Sequence, residues 1–306
     1  VTDLARRLAA AGVEVRERVP LGPMTTYRVG GPARWFVEVR TVAELSALGG
    51  VLAGRDEEVL VVGRGSNLLV HDDGFEGVAL LLGEAFADVE VRGATLVAGA
   101  AASLPVLARR SVAEGLTGFE WAVGVPGSLG GAVRMNAGGH GSDMSAVLGG
   151  VRVVDLGTGE TRDVSPTALQ LGYRRSAIGP RQVVVSADLV LTPGEVARGE
   201  AELAEIVRWR RRHQPGGRNA GSVFTNPPGD SAGRLVDAAG CKGLRVGSAE
   251  VSPKHANFIQ VDDGGRATDV HRLMVEVAGR VRERLGVELQ PETRLVGFPG
   301  LPVAES

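Results

Sequence analysis

The chain has 306 residues, 43% of them apolar, a formal net charge of −2 and one cysteine, Cys241. That length suits roughly two compact domains; the near-neutral balance argues against a general nucleic-acid or membrane-surface binder, and one cysteine allows neither an internal disulfide nor a cysteine metal cluster. The cysteine usage makes a cytoplasmic location the default expectation, no run reaches the ~18 apolar residues of a membrane helix and no cleavable leader is visible; a monomer is the expected state, though no motif argues for it.

Val1–Ala11 reads as an amphipathic helix bearing Arg6 and Arg7. Short apolar runs separated by glycine turns follow, and Trp35–Val39, Val59–Val62 and Val78–Leu82 are predicted strands. Val89–Val91 and Thr95–Ala98 flank Arg92-Gly93-Ala94 as a hairpin. Ser103–Glu114 reads as a helix with Ser103 as N-cap and Gly115 at its end. Val151–Leu156 and Val183–Leu191 are strands, the second apolar enough to be buried on both faces. Beyond Pro193-Gly194 the character changes. Glu195–Arg212 is a long polar helix that stops before Pro215, a short helix lies near Ser231–Ala239, and Phe258–Val261 is a strand. A further helix is predicted with Thr268 as N-cap and one stripe of Val270, Leu273, Met274, Val277, Val281 and Leu285. Gly286 ends it, and Val287–Phe298 reads as a strand. The pattern is α+β rather than a βαβ repeat, with a boundary at about 192–198.

Several signatures are absent. There is no G-x-x-x-x-G-K-S/T loop, and Gly63-Arg64-Gly65 fails the dinucleotide fingerprint because Leu68 stands at its sixth position. There is no G-x-S-x-G elbow and no H-E-x-x-H. The five histidines, 71, 140, 213, 255 and 271, show no ligand spacing, so no metal is expected.

Two side-chain-poor stretches remain. Gly63-Arg64-Gly65-Ser66-Asn67 follows a strand directly, and its N–H groups suit a pyrophosphate. Taken alone, it reads better as an ordinary strand-to-loop turn. Gly124-Val125-Pro126-Gly127-Ser128-Leu129-Gly130-Gly131-Ala132 leads to Met135-Asn136-Ala137-Gly138-Gly139. So long a stretch without large side chains fits backbone packed on backbone or on a flat ligand.

These segments carry a family resemblance. With Thr26–Ala33, Gly115–Gly141, Tyr173-Arg174, Gly221–Pro227, Ala232–Leu235, Val251–Ile259 and Pro291-Glu292, they run in the order of the UDP-N-acetylenolpyruvoylglucosamine reductase (MurB) family across nearly the whole chain. The chain resembles the shorter subtype, without an inserted tyrosine-bearing substrate loop: Tyr27 and Tyr173 are its two tyrosines, and neither lies in a candidate insertion.

The resemblance implies an FAD-binding fold of the vanillyl-alcohol-oxidase/PCMH type plus a smaller C-terminal α+β substrate domain. The expected division is 1–194 for FAD, in two subdomains joined by the tail 288–306, and 195–287 for substrate. The implied reaction is NADPH-dependent reduction of UDP-N-acetylglucosamine enolpyruvate through bound FAD, a step of peptidoglycan synthesis. Gly63, Arg64, Gly65, Ser66, Asn67, Gly124, Pro126, Gly127, Ser128, Gly131 and Ala132 are the implied cofactor-binding residues. Arg174, Ser222 and Glu292 are the implied catalytic residues: carboxylate-binding guanidinium, proton donor, and glutamate assisting proton transfer. Tyr173, Arg174, Asn226 and His255 would contact substrate, and Arg208, Arg210, Arg211, Arg212 and Arg218 are cations available to its pyrophosphate. The sequence departs from the family's pattern at Thr225 (lysine in many members), His140, Asn219 and Gln290.

Overall fold

The computed structural model describes residues 3–301, so Val1, Thr2 and 302–306 lie outside the described residues. The chain divides into two units: residues 1–17, 35–64 and 77–209, and residues 18–34, 65–76 and 210–306. The first unit thus runs to Trp209, beyond the 192–198 region where the sequence changes character, and residues 288–301 group with the second unit. The cause is packing: Leu203 and Ile206 of the long polar helix join the same buried cluster as Leu104, Leu107 and Val112.

In the first unit, apolar runs at 148–155 and 182–190 build the centre of a five-stranded antiparallel sheet. Its order is Thr161–Val164, Leu148–Asp155, Gln182–Val190, Thr95–Gly99, Val89–Arg92. Gln182–Val190 is covered on both faces only over Val183–Val185. Val183 and Val185 enter one core, while Val184, Ala187 and Leu189 enter another. Asp188 and Val190 then turn outward, so the expectation of a strand buried throughout is corrected. Val59–Val62 runs parallel to Phe75–Leu82, with Val59 opposite Val78.

The first unit holds α1 (Asp3–Ala10), α2 (Val42–Leu52), α3 (Leu104–Ala113), α4 (Leu129–Met135) and most of α5 (Val196–His213). α2 went unread in the sequence, although Thr41 accepts the Glu44 N–H at 3.1 Å as an N-cap should. Ser103 stands at the N-cap of α3 as expected, but its hydroxyl makes no capping bond; the residue pairs in an isolated bridge with Ser128.

The second unit holds α6 (Ala232–Ala238), α7 (Ala267–Leu285) and a three-stranded sheet of Arg245–Val246, Ala249–Val251 and Ile259–Val261. Val270, Leu273, Met274, Val277 and Val281 are buried as the period requires, whereas Leu285 is 39% exposed at the fraying end. Thr268 is not the N-cap of α7. The Asp72 carboxylate caps it from another segment, accepting the N–H groups of Ala267 at 2.9 Å and Thr268 at 3.0 Å and the Thr268 hydroxyl at 2.7 Å. The predicted terminal strand shortens to Arg294–Val296, which runs parallel to Leu68–Val70.

Candidate active site

The second glycine-rich stretch folds in two parts. A one-turn 3-10 helix, Glu120–Gly124, carries Glu120, 3% exposed, whose carboxylate accepts the Thr117 hydroxyl at 2.6 Å and the Gly118 N–H at 2.8 Å. α4 then starts after Ser128. The N–H groups of Leu129 and Gly130 donate to the carbonyls of Ala102 and Ala100, both at 2.9 Å. A Cβ on Gly130 would lie 2.9 Å from that of Ala100. Much of the small-residue character thus serves close approach of two protein segments, and fewer N–H groups face outward than a fully open phosphate loop would offer.

The part that does remain open is specific. Gly63, Gly131 and Arg64 are exposed while Ser128 is 5% exposed. A Cβ on Gly63 would stand 2.5 Å from Ser128 Oγ, and one on Gly131 would stand 3.4 Å from the same atom. The two glycine stretches therefore meet at one hydroxyl, with backbone rather than side chain around it. Such a surface fits the flat rings and phosphates of a dinucleotide, which need close backbone approach and polar donors without steric bulk. Gly65, Ser66 and Asn67 continue the first stretch into the second unit. Gly65 has φ +60° and a Cβ there would lie 2.1 Å from the Met24 carbonyl oxygen, so only glycine is accommodated.

Tyr173 and Arg174 form the tip of a tight turn closed by mutual bonds of 3.1 Å between Gly172 and Arg175. Arg174 holds φ 54°, a left-handed backbone conformation uncommon for a residue other than glycine. Its guanidinium donates to the Gly138 carbonyl at 3.2 Å and lies 5.1 Å from the Tyr173 ring centroid; Tyr173 itself is 55% exposed. The turn is anchored to the end of α4: Ser176 Oγ donates to the Arg134 carbonyl at 2.7 Å, and Arg134 donates to the carbonyls of Ile178 and Gly179 at 3.1 and 2.7 Å. The buried Asn136 amide adds a bond to Gly172. Sequence reading quoted Asn136 as part of a motif without giving it a role.

In the second unit, the segment after Ser222 is clamped on both sides. The Val223 N–H donates to the Asn257 carbonyl at 2.9 Å. The Asn257 side chain receives the Phe224 N–H at 2.9 Å and returns a bond to the Phe224 carbonyl at 2.8 Å. On the opposite side the Glu292 N–H donates to the Val223 carbonyl at 2.8 Å, and the Thr225 N–H donates to the Gln290 carbonyl at 2.9 Å. Ser222 and Glu292 thus flank one backbone pairing, both half-buried. Asn67 Nδ2 donates to the Glu292 carbonyl at 3.0 Å.

Asn219 shapes the approach to Ser222, accepting the Gly221 N–H at 3.0 Å. Asn226 accepts the Ala232 N–H at 3.0 Å at the start of α6. The His255 Nδ1 accepts the Asn257 N–H at 3.2 Å and its ring meets Phe258 edge-on at 4.7 Å; burial pushes its pKa down, favouring the neutral acceptor form. Burial also lowers the Arg210 pKa, and Arg210 bonds Gln214 at 2.7 Å. Arg218 is paired with Asp263.

Among the described residues no group of three or more His, Cys, Asp or Glu is placed to hold a metal, and no helix is long and apolar enough to cross a membrane.

A glycine-lined surface with an arginine-bearing turn anchored to its helix is suited to a protein that holds a dinucleotide cofactor against an anionic substrate. Residues 33–165 match the FAD binding domain family, and residues 213–296 match the UDP-N-acetylenolpyruvoylglucosamine reductase C-terminal domain. The UDP-N-acetylenolpyruvoylglucosamine reductase of Rubrobacter xylanophilus is 43% identical over 282 residues, 92% of this chain and 94% of that one. The corresponding enzyme of Acidiphilium cryptum is 44% identical over 295 residues, 95% of each. The crystal structure of the Thermus caldophilus reductase superposes with a TM-score of 0.80 at 37% identity, covering 93% of this chain and 98% of that chain. The chain belongs to the UDP-N-acetylenolpyruvoylglucosamine reductase (MurB) family: it is an FAD-dependent reductase of peptidoglycan synthesis whose substrate is UDP-N-acetylglucosamine enolpyruvate.

Proposed function

We propose that the chain reduces this enolpyruvyl ether with NADPH as hydride donor, and that Arg174, Ser222 and Glu292 carry the chemistry its residues supply. The single observation that carries the reading is the pairing of 223–225 with 290–292. It sets Ser222 and Glu292 on neighbouring backbone, with Asn67 bonded to the Glu292 carbonyl. FAD, when bound, would take hydride from the reduced nicotinamide and pass it to the terminal carbon of the enolpyruvyl group.

The residues of the chain then have three tasks. As hydride adds, the carbon–carbon π pair moves toward the carboxylate, and the fixed charge of Arg174 stabilises it there through two parallel hydrogen bonds. The Ser222 hydroxyl delivers a proton to the carbon next to the carboxylate, completing the lactyl ether. A serine hydroxyl is a weak acid, so Glu292 supplies the neighbouring proton relay or hydrogen bond that makes this transfer feasible. Tyr173, Asn226 and His255 contribute to substrate binding, His255 as a neutral hydrogen-bonding group. Gly63, Ser128 and Gly131 form the floor of the flavin site, with Arg64 beside it.

The first unit serves FAD and the second substrate. The protein works as a monomer in the cytoplasm, belongs to the shorter subtype, and binds neither membrane nor nucleic acid.

Anaerobic titration tests the whole reading. NADPH, in preference to NADH, should bleach the flavin band, and UDP-N-acetylglucosamine enolpyruvate should restore it. Restoration by UDP-N-acetylglucosamine, which lacks the enolpyruvyl group, would refute it.

A further inference from the structure

Asn136 is 2% exposed, and its amide reaches three places in the first unit. Nδ2 donates to the Gly172 carbonyl at 3.0 Å and to Asp143 Oδ2 at 3.2 Å, while Oδ1 accepts the Ser145 N–H at 3.0 Å. Two acceptors and one donor fix which way the amide faces. Asn136 also closes α4 with φ 40° and ψ 56°, a left-handed conformation that asparagine tolerates better than most residues. Gly172 opens the turn whose tip is Arg174, and the Arg174 guanidinium returns to the Gly138 carbonyl, two residues beyond Asn136. One buried, fully bonded amide therefore stands where the helix of the second glycine stretch, the 138–143 hairpin and the Arg174 turn come together. A satisfied buried polar network of this kind specifies one geometry.

We infer that Asn136 is a positioning residue for the reaction: its bond to Gly172 fixes the Arg174 turn so that the guanidinium meets the substrate carboxylate. The inference rests on the proposed role of Arg174. A misplacement of about 1 Å at such a group is enough to slow a reaction about a hundredfold.

Two variants separate the hydrogen bond from the backbone. Asn136→Asp keeps the size and the acceptor for Ser145, but turns an anionic oxygen toward both the Gly172 carbonyl and the Asp143 carboxylate. Asn136→Gly keeps the left-handed backbone and removes the side chain. Both are compared with Arg174→Ala for FAD content, flavin reduction by NADPH and reoxidation by the enolpyruvyl substrate. Calorimetry gives affinities for the enolpyruvyl substrate and for UDP-N-acetylglucosamine.

All three variants should retain FAD and its reduction, reoxidise roughly tenfold or more slowly, and lose affinity for the enolpyruvyl compound alone. Asn136→Asp in the Arg174→Ala background should add less than about twofold, because both act through one group. Normal reoxidation in both Asn136 variants beside an impaired Arg174→Ala overturns the inference. So does a double variant whose loss is the product of the single ones, or a parallel loss of UDP-N-acetylglucosamine binding or of FAD. An unimpaired Arg174→Ala overturns the Arg174 assignment itself.

Discussion

Asn67 and Glu292, 225 residues apart in sequence, are joined by a hydrogen bond of 3.0 Å from the Asn67 side-chain amide to the Glu292 backbone carbonyl. The Arg294 N–H donates to the Asn67 carbonyl at 3.0 Å, so the two segments are held at successive residues. Asn67 was expected to contact the cofactor. Its side-chain amide holds the peptide of the proposed catalytic glutamate.

Removing that amide should be felt in both stability and turnover. Asn67→Ala removes the side-chain donor to the Glu292 carbonyl, at a cost of about 1 kcal/mol. We expect a lower thermal midpoint for the holoenzyme and slower substrate-dependent reoxidation. A rate equal to wild type would detach Asn67 from Glu292 function.

The meeting of Gly63 with Ser128 predicts a rescue. In Gly63→Ala the new methyl collides with Ser128 Oγ but not with Ser128 Cβ, which lies 3.5 Å away. FAD content after purification should fall, and Ser128→Ala in the same chain should restore part of it. Gly65→Ala should have no such rescue, because the obstruction is the Met24 backbone and φ is +60°. Flavin absorbance per chain reads all three.

Asp72 gives a pH prediction. Burial works against its ionisation but is outweighed by the bonds from Thr268 and Ala267 and by Arg266, so its carboxyl is held below the ordinary value of 3.8. Its capping contribution is therefore complete above about pH 4 and is lost as pH falls through the lower folded-state value. Asp72→Asn should cost roughly 0.3–1 kcal/mol near neutrality, the worth of a negative charge at a helix N-terminus, and denaturant titrations should show that gap closing in acid. A gap independent of pH would mean the charge is not what caps α7.

Arg174→Lys should leave flavin reduction by NADPH unchanged and slow reoxidation by about ten- to hundredfold. A point charge cannot reproduce two parallel bonds to a carboxylate, and a lost charge-assisted bond is worth about 1.5–3 kcal/mol. Stopped-flow traces of the two half-reactions distinguish this from a general loss of activity.

What the sequence made legible follows the range of each signal. The stripe of α7 up to Val281, the hairpin around Gly93 and the short helix α6 depend on residues a few positions apart, and the structure holds them. The cap of α7 by Asp72 and the tie between Asn136 and Gly172 cross 195 and 36 residues. No local pattern announces such bonds, because their partners are ordinary turn residues until the chain folds. α4 was hidden for another reason: Leu129-Gly130-Gly131-Ala132 has poor helix propensity, and packing on Ala100 and Ala102 supplies what propensity lacks. The candidate residues themselves were found through ordered motifs, since neither Ser222 nor Arg174 stands out by chemistry alone.

The most direct measurement is single-turnover reoxidation of NADPH-reduced Ser222→Ala by UDP-N-acetylglucosamine enolpyruvate, followed at the flavin band. Flavin reduction should proceed at the wild-type rate and reoxidation should slow by about a hundredfold or more, the range of a lost general acid. Equal losses in both half-reactions, or reoxidation at the wild-type rate, would contradict it.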